Sequence, residues 1–144
     1  MNWDYKNIVV AIDGSDAAAK AFERALSYAK QHNARLILAH VVDSRTFATA
    51  EAYDRTLAER ADEYATEILD RYMDEAKAAG LQDVVRHVEY GSPKVKIAKD
   101  VATKFEADLI ICGATGLNAV ERFLIGSVSE NVVRQSKCDV LVVR

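Results

Sequence analysis

Short apolar segments alternate with amphipathic segments along the whole chain. Four of the apolar segments are nearly continuous runs, whereas a fifth alternates apolar and polar positions. The continuous runs are 6–12, 35–42, 108–112 and 139–143, and the alternating segment is 84–90. Continuous runs are typical of strands that helices cover on both faces of a parallel sheet, and alternation indicates a solvated face or an edge position. The pattern therefore predicts five strands.

Between the strands, apolar residues recur every three or four positions, which is the period of an amphipathic helix. The first of these segments follows Ser15 and Asp16, either of which can cap a helix, and Asn33 suits its left-handed end. Ser92 and Pro93 form a strong start signal for the third helix, as its N-cap and first residue. A fourth helix is predicted after the last glycine of the chain.

The predicted elements follow one another as β-α-β-α-β-α-β-α-β, without an internal repeat or a linker. Right-handed crossovers leave few ways to arrange such strands in one sheet. We predict an α/β fold in a single domain, a Rossmann-like doubly wound parallel sheet with the strand order 3-2-1-4-5. In this order the winding reverses between strands 1 and 4, and the crevice at their carboxyl ends is the usual position of a ligand.

Composition narrows the class of protein. The chain has 144 residues, a mass of 15.9 kDa and a formal net charge of −3, so it fits one compact domain and lacks the concentrated positive field that nucleic acids attract. Its wholly apolar runs reach about five residues, far below the ~18 of a membrane span, and its start shows no apolar signal segment. Two cysteines without a Cys-x-x-Cys spacing favour a reducing compartment. We expect a cytoplasmic protein that binds neither nucleic acid nor membrane.

Three segments carry candidate binding chemistry near the crevice. Strand 1 ends at Asp13, strand 4 runs into the Gly-Ala-Thr-Gly segment 113–116, and the Gly-Ser-Val-Ser segment 126–129 opens the last helix. Glycines allow tight backbone turns and keep side chains out of a close approach. Ser127 and Ser129 place hydroxyl groups beside the free amides of a helix N-terminus, which suits a phosphate. The same serines could be plain helix caps, and the two roles do not exclude each other.

The glycine spacing around the last loop resembles a known signature. Gly113-x2-Gly116-x9-Gly126-Ser127 is neither the common phosphate loop nor the dinucleotide motif. It resembles the Gly-x2-Gly-x9-Gly-[Ser/Thr] signature of the universal stress proteins that bind ATP. The first strand with its loop and the last strand also look like that family's. The resemblance therefore covers residues 1–144 as one nucleotide-binding domain.

The resemblance implies ATP in the crevice, with a divalent metal, Mg, on the triphosphate. Asp13 matches an acidic residue near the adenosine, Ala11 matches a neighbour that lines the same pocket, and the Val41 backbone matches the position that meets the adenine edge. Gly113 and Gly116 match the glycines that let the loop wrap the ribose and phosphates. The matching phosphate-binding segment consists of Gly126, Ser127, Val128 and Ser129.

Several other polar and aromatic residues have structural interpretations. His40 lies inside a predicted strand, so we interpret it as a core histidine whose ring nitrogens find partners. Tyr64 and Tyr72 fall on the apolar face of the second helix and are interpreted as core residues. The polar segment 43–56 either closes over a nucleotide or serves only as a connection.

The last strand predicts a homodimer. It lies at an edge of the proposed sheet, yet it is apolar along its length, and a long apolar edge invites pairing with another chain. The resemblance points the same way, since many proteins of that family form homodimers there. The residues expected at the interface are Val140, Leu141, Val142 and Val143.

The leading hypothesis is a cytosolic, dimeric ATP-binding protein that acts as a regulator in stress adaptation. Nucleotide occupancy would change the loop between Gly113 and Gly126 and thereby partner binding. A slow ATPase is the first alternative, although the sequence shows no phosphate-loop lysine, no second carboxylate beside Asp13 and no clear general base. The second alternative is a dimeric interaction module without nucleotide, and the intact glycine signature argues against it.

Overall fold

The computed structural model describes residues 4–43, 55–115 and 125–144. Five strands form one parallel sheet in the order β3-β2-β1-β4-β5, which confirms the predicted fold. The strands are β1 (Asn7–Ala11), β2 (Arg35–Val42), β3 (Val84–Tyr90), β4 (Leu109–Gly113) and β5 (Asp139–Val143). The alternating strand, β3, lies at one edge, and the apolar strand β5 lies at the other.

Helices connect the successive strands. Three of them are α1 (Asp16–His32), α2 (Arg55–Ala78) and α4 (Ser127–Gln135). The connection from β3 to β4 is one helical run, here called α3, made of an α-helical turn at Pro93–Val95, a π-helical stretch at Lys96–Val101 and a second α-helical turn at Ala102–Lys104. No helix in the described part of the chain is both long and apolar enough to cross a membrane.

The sheet separates two apolar cores, because successive side chains of a strand point to opposite faces. On one face α1 and α2 cover a core that includes Ile8, Val10, Leu36, Leu38, Ile111, Phe22 and Leu69. On the other face α3 and α4 cover a core that includes Val9, Ile37, Ile110, Val101 and Val132. Burial on both faces explains why β1, β2 and β4 are continuous apolar runs.

Two of the predicted helix boundaries are confirmed, and a third differs in detail. Ser15 caps α1, since its Oγ accepts from the amide of Ala18 at 3.1 Å, and Asn33 closes that helix with a left-handed φ of 54°. The third helical run begins at Pro93 as expected, but the Ser92 side chain makes no capping hydrogen bond. The 3.6-residue pattern of that segment also gave no sign of its π-helical stretch.

The aromatic residues of α2 have different environments. Tyr72 is buried and packs against Phe22 with their ring centroids 4.6 Å apart, as predicted for a core residue. Tyr64 keeps 44% of its surface exposed, so its assignment to the core is wrong. It contacts His40 edge-on with the ring centroids 5.9 Å apart. The helical period placed Tyr64 on the correct face, but α2 extends past the core at that point.

A hydrogen bond between Tyr5 and Asp139 joins the start of the described chain to β5 and makes stability sensitive to alkaline pH. The Tyr5 hydroxyl donates to Asp139 Oδ2 at 2.7 Å, and this bond, with burial and the negative charge of Asp139, raises the pKa of Tyr5 from 10.0 to about 12. The folded state therefore holds the phenol proton more tightly than the unfolded chain. The contribution to the free energy of unfolding is complete below pH 10 and is lost as the pH rises through about 12.

We expect Tyr5→Phe to have a shallower loss of stability than the wild type across that alkaline range. Urea unfolding at a series of pH values measures the difference. Tyr28→Phe leaves the bond to Asp139 in place and should follow the wild type. Parallel plots of the free energy of unfolding against pH for Tyr5→Phe and the wild type would show that Tyr5 is not the group responsible for the alkaline loss of stability.

Candidate functional site

The carboxyl ends of β1, β2 and β4 lie together at one end of the sheet. The winding of the sheet reverses there, which is where a doubly wound fold forms a crevice. The pairing of β1 with β2 ends where Ala11 lies beside Ala39, whereas β2 continues to Val42. On the other side of β1, β4 ends at Gly113. The last residues of β2 therefore extend beyond β1 and leave one backbone edge facing the crevice.

His40 determines how the pairing of β1 with β2 ends. The last backbone hydrogen bond between these two segments runs from the Ile12 amide to the Ala39 carbonyl, at 2.8 Å. Continued pairing would next join the Val41 amide to the Ile12 carbonyl. Instead, His40 Nδ1 lies 2.7 Å from that carbonyl oxygen, and because a carbonyl only accepts, Nδ1 carries the proton and donates. His40 is buried, as predicted, but it also replaces a backbone bond of the ladder.

The backbone of Val41 consequently faces the crevice. In a strand, residues two apart direct their N–H and C=O groups to the same side. Ala39 directs its carbonyl toward β1, so Val41 directs its peptide groups toward the same side, beyond the end of β1. Neither group is hydrogen-bonded to a described residue. Val41 thus offers one free donor and one free acceptor side by side.

Asp13 is held in the loop after β1 by the cap of α1. Its Oδ1 accepts from the Ser15 amide at 2.9 Å and from the Ser15 hydroxyl at 2.5 Å, while Ser15 caps the helix. Oδ2 of Asp13 accepts from no described residue. Between the two residues, Gly14 has φ of +84°, and a Cβ there would collide with the hydroxyl of Tyr64. The loop therefore presents one carboxylate oxygen from a fixed position.

Gly113 is required by the packing of α1 against the end of β4. A Cβ at this position would lie 2.7 Å from both the carbonyl carbon and the Cβ of Ala17, and 2.9 Å from the Ala17 oxygen. Real Cβ atoms essentially never come this close to backbone. The glycine thus has a packing role in addition to any role in a ligand-binding loop.

The N-terminus of α4 is fixed to the end of β4. The Gly126 amide donates to the Ala114 carbonyl at 2.6 Å. The buried hydroxyl of Ser129 lies 2.7 Å from the Gly113 carbonyl and 3.0 Å from the Ala114 carbonyl, and it donates to this pair. The Ser129 hydroxyl therefore holds the start of α4 against the end of β4, whereas the Ser127 side chain is exposed.

The first turn of α4 offers free amides to the crevice. The first bond within this helix runs from the Glu130 amide to the Gly126 carbonyl, so the three preceding amides are those of an unpaired helix N-terminus. The amides of Ser127, Val128 and Ser129 donate to no described residue. Such a terminus carries a partial positive charge and suits an anion.

Cys112 contributes packing to this region and no reactive thiol. Burial raises the pKa of the Cys112 thiol to about 11, and a hydrogen bond with Ser129 opposes the shift. The thiol therefore stays protonated at neutral pH. Within the described ranges, no three His, Cys, Asp or Glu side chains form a group that could hold a metal ion by themselves.

The structure brings most of the predicted site residues to one edge of the sheet. Gly116 and much of the polar segment 43–56 lie outside the described residues. The sequence analysis treated His40 only as a core residue and did not single out Ala17, because the roles of both depend on contacts with residues that are distant in the chain. The predicted residues near the crevice are Ala11, Asp13, Val41, Gly113, Gly126, Ser127, Val128 and Ser129.

Comparisons with known proteins agree with this fold. The family model of the universal stress protein family matches residues 4–144, and the chain belongs to that family. A relative from Staphylococcus aureus (strain USA300), named as a universal stress protein, is 50% identical over 140 residues, which are 97% of this chain and 84% of the relative.

Two solved structures show the likeness in three dimensions. The universal stress protein UspA from Lactobacillus plantarum is 34% identical, with 99% of this chain and 100% of that chain covered and a TM-score of 0.87. A universal stress protein in complex with cAMP is also 34% identical, with 98% of each chain covered and a TM-score of 0.71.

Proposed function

We propose that this protein is a cytoplasmic, dimeric regulator of stress adaptation that binds ATP in the crevice. The observation that carries the proposal is two sets of unpaired backbone groups, those of Val41 at the end of β2 and those of the first turn of α4, which is fixed to the end of β4. These two strands flank β1. The complex of a 34% identical relative with cAMP supports an adenine nucleotide. The glycine signature supports a triphosphate.

Each part of ATP has a chemically matched partner in this arrangement. The free N–H and C=O of Val41 match the ring nitrogen and the amino group on one edge of adenine. The free Oδ2 of Asp13 can accept from a ribose hydroxyl. The first-turn amides of α4 and the exposed Ser127 hydroxyl donate to phosphate oxygens, with Gly113 and Gly116 keeping side chains away.

Mg²⁺ is compatible with these residues as a companion of the triphosphate. Mg²⁺ prefers oxygen ligands, keeps several waters and often binds through one carboxylate and the phosphates of a nucleotide. Asp13 is a carboxylate at the crevice with an oxygen available. The ion would neutralise phosphate charge, while the protein positions the nucleotide through its backbone.

Calorimetry with ATP and Mg²⁺ tests the proposal. We expect saturable binding by the wild type and a loss of about three- to fivefold in affinity for Ser127→Ala, because about 0.6–1 kcal/mol of one phosphate hydrogen bond is removed. Ser27→Ala, an exposed serine on the outer side of α1, is the matched control and should bind like the wild type. No binding at millimolar ATP, or equal losses in both variants, would overturn the proposal.

The proposed dimer forms through the free backbone edge of β5. The Ala114 amide donates to the Val143 carbonyl, so Val143 faces β4 and Val142 directs its peptide groups outward. We expect Val142→Pro, which removes one outward N–H, to change the mass in light scattering from twice 15.9 kDa to 15.9 kDa. Val142→Thr keeps that N–H and should remain dimeric. A wild type of 15.9 kDa would refute the dimer.

A further inference from the structure

Tyr64, in the first half of α2, contacts two separate supports of the proposed nucleotide site. One support is His40, whose imidazole ends the pairing of β1 with β2. The other is Gly14, in the loop that presents Asp13. Tyr64 keeps 44% of its surface exposed, so burial in the core does not account for its position. Its two contacts instead connect α2 with the end of β2 and with the loop after β1.

The ring of Tyr64 packs against the imidazole of His40. The two rings meet edge-on, with their planes at 71° and their centroids 5.9 Å apart, and this is a favourable geometry for an aromatic pair. The torsion that turns an imidazole about its bond to Cβ is broad and roughly two-fold. After a half-turn, a ring carbon would face the Ile12 carbonyl in place of Nδ1, and the hydrogen bond of 2.7 Å would be lost. The Tyr64 ring therefore supports the orientation that makes this bond.

The hydroxyl of Tyr64 packs against the backbone of Gly14. A Cβ on Gly14 would lie 2.0 Å from this oxygen and 3.3 Å from the ring carbon that bears it, so the phenol occupies the space that a side chain would need. Gly14 has a left-handed φ of +84°. Its neighbours Asp13 and Ser15 are joined by the two hydrogen bonds that orient the carboxylate. The phenol thus covers the turn from which Asp13 is presented.

Side-chain packing is the means by which α2 holds this turn. Among the described residues, no backbone hydrogen bond joins α2 to the loop after β1. Ile68, one turn further along α2, also lies near Gly14, but its Cδ1 would be 3.5 Å from the Cβ, an ordinary contact distance. The closest contact between α2 and the turn is therefore the one that the Tyr64 hydroxyl makes.

We propose that Tyr64 is a positioning residue for nucleotide binding, whose ring holds His40 toward the Ile12 carbonyl and whose hydroxyl holds the turn 13–15. The inference rests on the proposed ATP site, because it concerns how the Val41 backbone and the Asp13 carboxylate are kept in place to meet the ligand. The role requires no contact between Tyr64 and the nucleotide. It makes α2 part of the binding apparatus, although this helix supplies no group to the ligand.

Two substitutions separate the ring from the hydroxyl. Tyr64→Phe removes only the hydroxyl, whereas Tyr64→Ala removes both groups. In calorimetry with ATP and Mg²⁺, we expect affinities about two- to threefold weaker for Tyr64→Phe and about five- to tenfold weaker for Tyr64→Ala. Met73→Ala is the matched control, because Met73 lies roughly 13 Å further along the same helix and packs against the core. It should lower stability and keep the affinity of the wild type.

Proton exchange with water, measured by NMR, separates positioning from a general loss of stability. The Nδ1 proton of His40 reports on the ring contact, and the Ser15 amide, which donates to Asp13, reports on the turn. The amides of β1 serve as the reference for global unfolding. Relative to them, Tyr64→Ala should speed exchange at both reporters, Tyr64→Phe only at the Ser15 amide, and Met73→Ala at neither.

Three results would overturn the positioning role. They are unchanged exchange of the His40 proton in Tyr64→Ala, an affinity of Tyr64→Ala equal to that of the wild type, and equal losses of affinity in Tyr64→Ala and Met73→Ala. Failure of the proposed function has a different signature, which is the absence of ATP binding by the wild type. In that case the exchange pattern of the three variants still decides whether Tyr64 holds His40 and the turn.

Discussion

Gly113→Val should lower the free energy of unfolding by about 3 kcal/mol. A Cβ at this position would lie 2.7 Å from the carbonyl carbon of Ala17, and backbone atoms cannot rotate away as the end of a side chain can. The Ser15 cap, and the hydrogen bonds that Ser15 donates to Asp13, hold the first turn of α1 in place. To make room for the side chain, β4 and α1 would have to separate, and this disturbs the core between the sheet and α1. Urea unfolding measures the loss.

Gly126→Ala is the control for this prediction. Gly126 has φ of −67° and ψ of 160°, a conformation that any residue adopts, so the substitution should cost less than about 1 kcal/mol through the weaker N-cap. The stability loss of Gly113→Ala should lie between those of Gly113→Val and Gly126→Ala, because it adds the clashing Cβ but not the further methyl groups of valine. Equal stabilities of Gly113→Val and Gly126→Ala would contradict the prediction, because they would show that the backbone at Ala17 moves away from the new side chain at little energetic cost.

His40→Leu should weaken ATP binding about tenfold, which corresponds to ~1.4 kcal/mol. Without the imidazole, the Ile12 carbonyl is free to accept from the Val41 amide, which extends the pairing of β1 with β2 by one bond. The donor proposed to meet adenine is then used within the sheet. The new bond from the Val41 amide to the Ile12 carbonyl compensates only in part for the lost bond from His40. We therefore also expect the free energy of unfolding to fall by about 1 kcal/mol. Calorimetry with ATP and Mg²⁺ measures the affinity.

Hydrogen exchange separates this positioning role of His40 from a general loss of stability. In His40→Leu the Val41 amide should exchange more slowly than in the wild type, although the protein as a whole is less stable. His40→Gln keeps a donor of comparable reach, so it should retain most of the affinity and the fast exchange at Val41. Unchanged exchange at Val41 in His40→Leu, together with unchanged ATP affinity, would contradict the role assigned to His40.

The candidate site was predictable where its chemistry is local in sequence. The segment 126–129 combines a glycine, two serines and the start of a helix, and each of these is visible in a short window. His40 was recognised only as a core residue, because its bond to Ile12 joins positions 28 apart in the chain. Ser129 was expected to face a phosphate with its hydroxyl, yet that hydroxyl is used by the carbonyls that end β4.

The amino-acid sequence by itself determined the succession of strands and helices and the burial of both sheet faces, and right-handed crossovers reduced the possible strand orders to a few, among which the observed order was predicted. These follow from periodicities of two and of 3.6 residues and from caps, which act over a few neighbouring positions. Only the tertiary structure decided where the pairing of β1 with β2 stops, why Gly113 lacks a side chain and where α3 becomes π-helical. The first two depend on atoms that distant parts of the chain bring within about 3 Å of one another, and no local pattern encodes such a distance.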